Sequence, residues 1–192
     1  MSVKVFSTGE VLTASDTNTY LANSGLVYIT TATASNTATT LNVVGCFSSA
    51  FTNYRLSFTG TSTTAASDIY IRMLNGSTPV TTGSYGWAFV GQDSRGVSKN
   101  TNAFDQTSAY TGMTTFNAPN EKHHANLDVM SPFVAVRTYF LGQASGINAG
   151  LNGFSFINGG SYQENATSYD GFQIVGASNL TTSVRVYGYR QV

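Results

Sequence analysis

Charged side chains are scarce in this chain, at 9% of 192 residues, whereas an ordinary soluble domain carries about 25%. The nine basic and nine acidic residues cancel in net charge and are scattered singly. No basic patch is therefore present that would neutralise the phosphates of a nucleic acid, and we expect no nucleic-acid partner. A protein with few charges and no net charge tends to associate, which favours a homo-oligomer over a lone monomer.

Cysteine is limited to Cys46, which excludes an intrachain disulfide. Because Val43, Val44 and Phe47 surround it in the sequence, we expect a small buried side chain there. No apolar run approaches the roughly 18 residues of a membrane-spanning helix. The start, MSVKVFSTGEV, contains no apolar segment of signal-peptide length. We therefore expect synthesis in a cytoplasm and no membrane insertion.

Small neutral residues and aromatic residues are abundant instead, including 12 Phe and 11 Tyr. Alternation of apolar and polar residues predicts β-strands, most clearly where Tyr54, Leu56 and Phe58 share one face. The predicted strands are residues 26–33, 38–44, 54–60, 68–74, 84–91, 125–131, 133–141, 154–158, 169–175 and 183–190. About ten strands with no helices between them predict an all-β fold, an antiparallel β-sandwich of jelly-roll type.

Residues 92–124 are polar and show no sustained alternation. Loops of this length are uncommon in compact domains and are often functional. A functional loop is one interpretation, and a pair of weak strands near residues 103–115 is the other.

Residues 14–23 form the one segment with a helical pattern. Thr13 is a suitable N-cap, Asp16 places a negative charge near the positive end of the helix, and Gly25 can terminate it. A helix of about ten residues is marginal alone in water, so it must pack on its own β domain or on a neighbouring subunit. The apolar residues available for this contact are Val11, Leu12, Tyr20 and Leu21. The chain thus divides into an N-terminal attachment segment, residues 1–25, and a β-sandwich domain, residues 26–192.

Patterns of catalytic and metal-binding residues are missing. The sequence has no G-x-S-x-G elbow and no glycine-rich phosphate loop, and its acidic residues are isolated rather than paired as a glycosidase requires. His123 and His124 are adjacent, and adjacent strand residues point to opposite faces, so we expect solvated loop histidines rather than metal ligands. No catalytic residue, metal or cofactor is expected.

Aromatic residues near the long polar segment are candidates for binding. Aromatic rings with Asn and Asp nearby can stack on a sugar and hydrogen-bond to it, which makes a surface or glycan contact one interpretation. Burial in the sandwich core is the alternative. The residues concerned are Tyr85, Trp87, Phe104, Tyr110 and Phe116.

Residues 6–23 read FSTGEVLTASDTNTYLAN. This run resembles a peptide near the start of bacteriophage structural proteins, including minor tail proteins and tail-fibre-like proteins, with the pattern F-x-x-G-x-V-L-T-A-x-D-x-N-x-Y-L. Two shorter runs add to the similarity: FTNYRL at residues 51–56, and VRVYGYR at 184–190, which resembles the last strand of many small phage β modules. Residues 75–179 resemble no family.

The resemblance implies a non-enzymatic structural protein of a virion, oligomeric and most simply trimeric, whose partners are other virion proteins. Because the chain has no fibrous shaft, two forms stay open. One is a compact tail appendage or fibre-tip module, attached through its N-terminus, whose distal loops contact the host surface or its glycans. The other is a capsid decoration (cement) protein that stabilises the head. A glycan-active enzyme is a remote third alternative.

Overall fold

A computed structural model describes residues 7–11, 13–14, 25–62, 67–98, 100–115, 123–148 and 153–190. Within these ranges the secondary structure is dominated by thirteen antiparallel strands. In chain order they are β1 (Leu26–Ser35), β2 (Thr40–Val43), β3 (Asn53–Ser62), β4 (Ser67–Asn75), β5 (Thr78–Pro79), β6 (Tyr85–Asp93), β7 (Thr101–Gln106), β8 (Ala109–Thr115), β9 (His123–Met130), β10 (Thr138–Asn148), β11 (Gly153–Gln163), β12 (Gly171–Gly176) and β13 (Leu180–Tyr189).

The strands form two sheets that pack as a sandwich. The larger sheet has eight strands in the order β1-β13-β3-β9-β10-β11-β6-β7, and the smaller has β2-β12-β4-β5, with β8 also paired to β4. The first strand pairs with the last and the second with the penultimate, which is the nested arrangement of a jelly roll. The predicted fold class, an antiparallel jelly-roll-like β-sandwich, is confirmed.

The core lies between the sheets and follows the alternation in the sequence. Leu56 on β3 and Leu127 on β9 are fully buried on the larger sheet, while Ile71 on β4 and Phe172 on β12 are fully buried on the smaller one. Burying a side chain of this size contributes about 1.5–3 kcal/mol. Cys46 also belongs to this core, as predicted, and burial raises the pKa of its thiol to about 12.

Strands hidden in the polar segment 92–124 account for much of the difference between the thirteen strands observed and the ten or so expected. The interpretation of this segment as one long loop is wrong, because β7 and β8 lie within it and β9 begins in it at His123. The alternative, a pair of strands near residues 103–115, is confirmed. Both strands pair with neighbours, β7 with β6 and β8 with β4, and each pairing contains one register shift.

Residues 133–137 correct a second prediction. They were expected to begin a strand, but β10 starts only at Thr138. The preceding residues form a turn in which Ser131 adopts a left-handed conformation (φ 56°) and the Val134 N–H donates to the Ser131 carbonyl at 3.2 Å. The apolar alternation there was coincidental, since Val134 and Val136 are each 45% exposed.

The predicted helix at residues 14–23 lies outside the described residues, apart from its first position. Among the described residues, no helix is long and apolar enough to cross a membrane.

Candidate functional site

A cavity of about 250 Å³ opens between the β4–β8 pair and the larger sheet. We call it the aromatic cavity. Three neighbouring strands of the larger sheet contribute His123 from β9, Ala144, Ser145 and Gly146 from β10, and Ser155 and Ile157 from β11. The smaller sheet contributes Asp68 and Tyr70 from β4 and Tyr110, Gly112 and Met113 from β8, while Trp87 from β6 and Asn100 and Thr101 beside or within β7 complete the lining.

Small residues on β10 and on the neighbouring strand β11 leave the space that the cavity occupies. Along β10, Phe140 fills the core, but Ala144 and Gly146, further along the same face, do not. Gly146 pairs with Ser155 across the β10–β11 ladder, so two small residues lie side by side. A side chain at Gly146 would collide with the imidazole of His123. The absence of a side chain at Gly146 therefore leaves room for the imidazole of His123.

Three aromatic rings line one side of the cavity. The ring centroid of Trp87 lies 5.9 Å from that of Tyr70 and 6.1 Å from that of Tyr110, and the two tyrosine centroids are 5.7 Å apart. Phe89 packs edge-on against Tyr110 from the core side, at 5.4 Å. Trp87 and Tyr70 are half-buried, so they present ring surface to the cavity, whereas Tyr110 is almost fully buried behind them.

The hydroxyl of Thr111 fixes the strand that carries Tyr110. The register of β8 against β4 shifts between Asp68 and Tyr70, which leaves backbone groups without their ladder partners. Thr111 Oγ1 donates to the Ile69 carbonyl at 2.7 Å and accepts from the Met113 N–H at 3.2 Å. Because Thr111 is fully buried, this side chain replaces the missing backbone bonds where no solvent reaches.

The cavity is neutral at its base and acidic at its rim. Burial, with a smaller contribution from the charge of His124, lowers the pKa of His123 to about 4, so the imidazole is neutral near pH 7. Asp68 is exposed at the rim, and the Tyr70 hydroxyl donates to its Oδ2 at 3.4 Å. Burial, followed by the charge of Asp68, raises the pKa of Tyr70. No Lys or Arg occurs among the described lining residues.

Hydrogen bonds within the lining are long. Trp87 Nε1 lies 3.5 Å from Thr101 Oγ1, and Ser155 Oγ lies 3.4 Å from the Gly146 carbonyl it donates to. Protein hydrogen bonds cluster near 2.9 Å and weaken with distance. These indole and hydroxyl groups can therefore exchange their present partners for a ligand at little cost.

The candidate binding residues from the sequence are only partly brought together. Trp87 and Tyr110 meet in the aromatic cavity. Tyr85 is fully buried: its hydroxyl accepts from the Met73 N–H at 2.9 Å and donates to the Val80 carbonyl at 3.2 Å, which places it in the core, away from any surface contact. Phe104 is 77% exposed on β7 and does not line the cavity.

The remaining residues singled out from the sequence lie in the N-terminal segment and in the polar segment 92–124. Val11 is 77% exposed, whereas Leu12, Tyr20, Leu21 and Phe116 lie outside the described residues. The expectation that His123 is a solvated loop residue is wrong, because it is a buried strand residue, 3% exposed. His124 is exposed beside Thr59.

Sequence reasoning missed Tyr70 and Asp68 as site residues. Both belong to the polar face of the β4 pattern, where a large aromatic residue next to an acid was the available signal. The other strand acid, Asp128, does not line the cavity: it accepts two hydrogen bonds from Arg55, at 2.8 and 2.9 Å, and one from the Tyr189 hydroxyl at 2.6 Å. Within the described part of the chain, no group of three His, Cys, Asp or Glu residues is arranged to hold a metal ion.

Comparisons with known proteins add little. No protein-family model and no curated protein sequence matches the chain. Among solved structures it is similar to galectin LEC-6 of Caenorhabditis elegans, with 13% sequence identity over 82% of this chain and 95% of that chain, at a TM-score of 0.36. A likeness this weak carries no argument about function.

Proposed function

We propose that this chain is a non-enzymatic structural protein of a bacteriophage virion: a tail appendage or fibre-tip module attached through its N-terminal segment. The observation that carries the proposal is the run FSTGEVLTASDTNTYLAN at residues 6–23, followed almost at once by a β-sandwich that begins at Leu26. An attachment peptide joined to a β module is the organisation that the resemblance implies.

Exposed apolar side chains support the homo-oligomeric part of the proposal. Val90 on β6, Phe104 on β7, Leu141 on β10 and Phe154 and Phe156 on β11 are between 43% and 77% exposed. These four strands are neighbours in the larger sheet, and exposed apolar residues grouped on one sheet suit contact between subunits. Few charged groups oppose such contact, and the resemblance to phage tail proteins is what favours a trimer among the possible assemblies.

A capsid decoration protein is the second candidate. The aromatic cavity favours the tail form, because a module that contacts the host needs a binding site and a cement protein needs only shape and subunit contacts. The proposed partners are thus other virion proteins and, at the distal end, the host surface.

Copy number per particle tests the proposal. Quantitative mass spectrometry of purified particles, with labelled peptides of this chain as standards, should find few copies in a multiple of three or six. Immunogold labelling should place them on the tail. Hundreds of copies that follow the shell would establish decoration instead, and absence from particles would overturn the virion proposal altogether.

A further inference from the structure

We propose that the aromatic cavity binds one neutral pyranose ring of a saccharide, stacked on Trp87 and Tyr70. The inference rests on the proposed function only for the source of the saccharide, a glycan of the host surface. Binding itself would be a property of the β-sandwich, measurable without any particle.

The size of the cavity selects a small ligand. Its volume of about 250 Å³ lies below the range of roughly 300–1,000 Å³ that holds drug-sized molecules. One sugar ring fits such a space, whereas a peptide segment with several side chains does not. Gly146 and Ser155 line the cavity from the larger sheet, and Tyr70 lines it from the smaller one.

The rings provide the stacking surface. A pyranose has one face of C–H groups and a rim of hydroxyls, so it needs an aromatic plane beside polar atoms. Trp87 and Tyr70 supply half-exposed rings whose centroids lie 5.9 Å apart, and Tyr110 supports both from behind. This arrangement holds the rings in place before a ligand arrives, which reduces the entropy lost on binding.

The polar groups match hydroxyls rather than charges. The Ser155 and Thr101 hydroxyls and the Trp87 indole make only long internal bonds of 3.4–3.5 Å, and hydroxyls both donate and accept. The Asp68 carboxylate adds a hydrogen-bond acceptor at the rim, and the described lining contains no Lys or Arg that would pair with an acidic sugar. A neutral saccharide is the class that this combination accepts.

A small organic cation is the competing ligand, because aromatic rings and a carboxylate attract quaternary ammonium groups. Two features disfavour it. The three rings pack against one another, with centroids 5.7–6.1 Å apart, and so form a continuous surface with no space between them for an ammonium group. Asp68 is solvent-exposed, so salt screens its charge.

Intrinsic fluorescence provides the direct test, since Trp87 is the only tryptophan of the chain. Purified full-length protein would be titrated with neutral monosaccharides (glucose, galactose, mannose, N-acetylglucosamine), with sialic acid and with choline, and applied to a glycan array. We expect a saturable fluorescence change with at least one neutral sugar, array signal on glycans that carry it, and no change with choline or sialic acid.

Variants locate the site. Tyr70→Ala keeps the fluorescent reporter and should weaken binding about tenfold, the size of one lost aromatic contact. Asp68→Asn, an isosteric change at an exposed position, should weaken it less. The matched control is Phe104→Ala, an exposed aromatic residue outside the cavity, which should leave binding unchanged. Circular dichroism and thermal unfolding would establish that each variant is folded.

Three results would overturn the inference: no neutral glycan giving signal on the array, choline binding in place of sugars, or loss of binding in Phe104→Ala with Tyr70→Ala unaffected. The inference and the proposed function can fail separately. If the chain is absent from particles but still binds a sugar, only the virion proposal is refuted. If the chain is found on the tail but binds no sugar, only the inferred saccharide site is refuted.

Discussion

His123 is a residue whose burial has a measurable consequence for stability. Its folded-state pKa is lowered from 6.5 to about 4, first by burial and then by the charge of His124. The unfolded chain therefore takes up this proton at a higher pH than the folded chain does. The resulting contribution to stability is fully present above about pH 6.5 and is lost as the pH falls toward 4.

We predict that the free energy of urea unfolding falls by on the order of 2 kcal/mol between pH 6.5 and 4.5, in addition to changes from carboxyl groups. His123→Gln should remove most of this slope. His124→Gln, at the exposed neighbouring position, should retain most of it. A wild-type stability that stays level across this interval would show that His123 is not buried as described.

Strand β8 shows why part of the site escaped prediction from sequence. Ala109, Tyr110, Thr111 and Met113 are all buried, so no polar face alternates with an apolar one, and Gly112 interrupts the strand with a φ of 78°. Strand β3 has the opposite character: one face is core and the other is polar, and the sequence predicted it almost to the residue. Alternation indicates strands with two unlike faces, and β8, whose two faces are both covered, carries no such signal.

Pairing between strands also determines which residues meet, and a local pattern carries no such information. Trp87 and Tyr110 could be selected as aromatic residues near a polar segment. Only the packing of β6 against β4 and β8 brings Tyr70 beside them, and only the β9–β10–β11 ladder places His123 and Ser155 across the cavity. Tyr85 was selected on the same grounds as Trp87, yet its hydroxyl bonds hold it in the core.

At the element scale, Thr111 should determine whether β8 stays paired to β4. Thr111→Val keeps the shape of the side chain but leaves the Ile69 carbonyl and the Met113 N–H without the hydroxyl they share. We predict a loss of about 2–3 kcal/mol in the free energy of unfolding, measured in urea, because unsatisfied buried backbone groups are costly. Binding at the aromatic cavity should weaken with it, since Tyr110 and Met113 are on this strand.

Thr111→Ser is the matched control, because it keeps the hydroxyl and removes only a methyl group. It should cost about 1 kcal/mol and leave binding intact. Equal losses in the two variants would mean that packing of the methyl group, rather than the hydrogen bonds, holds β8 in place.

For the whole molecule, strand pairing shows where the β-sandwich begins after the proposed attachment segment. Strand β1 begins at Leu26 and pairs with β13 along its length, and the Gly25 carbonyl accepts from the Arg190 N–H at 3.3 Å. The described core begins with the partly buried Ile29 and continues through both sheets without any described residue before Gly25. All of the described core thus lies within residues 25–190.

Deleting residues 1–24 should therefore separate folding from assembly. We predict that the shortened chain keeps its β-type circular dichroism spectrum and a melting temperature within a few °C of the full chain, because the lost residues contribute none of the described core. The same protein, supplied during phage growth in place of the full chain, should be missing from purified particles. Two substitutions, Val11→Asp and Leu21→Asp, in the full chain should reproduce the assembly defect if these apolar groups bind a neighbouring subunit. If the shortened chain instead aggregates or loses its cooperative unfolding, the N-terminal segment packs on its own sandwich, and attachment must be sought elsewhere on the surface.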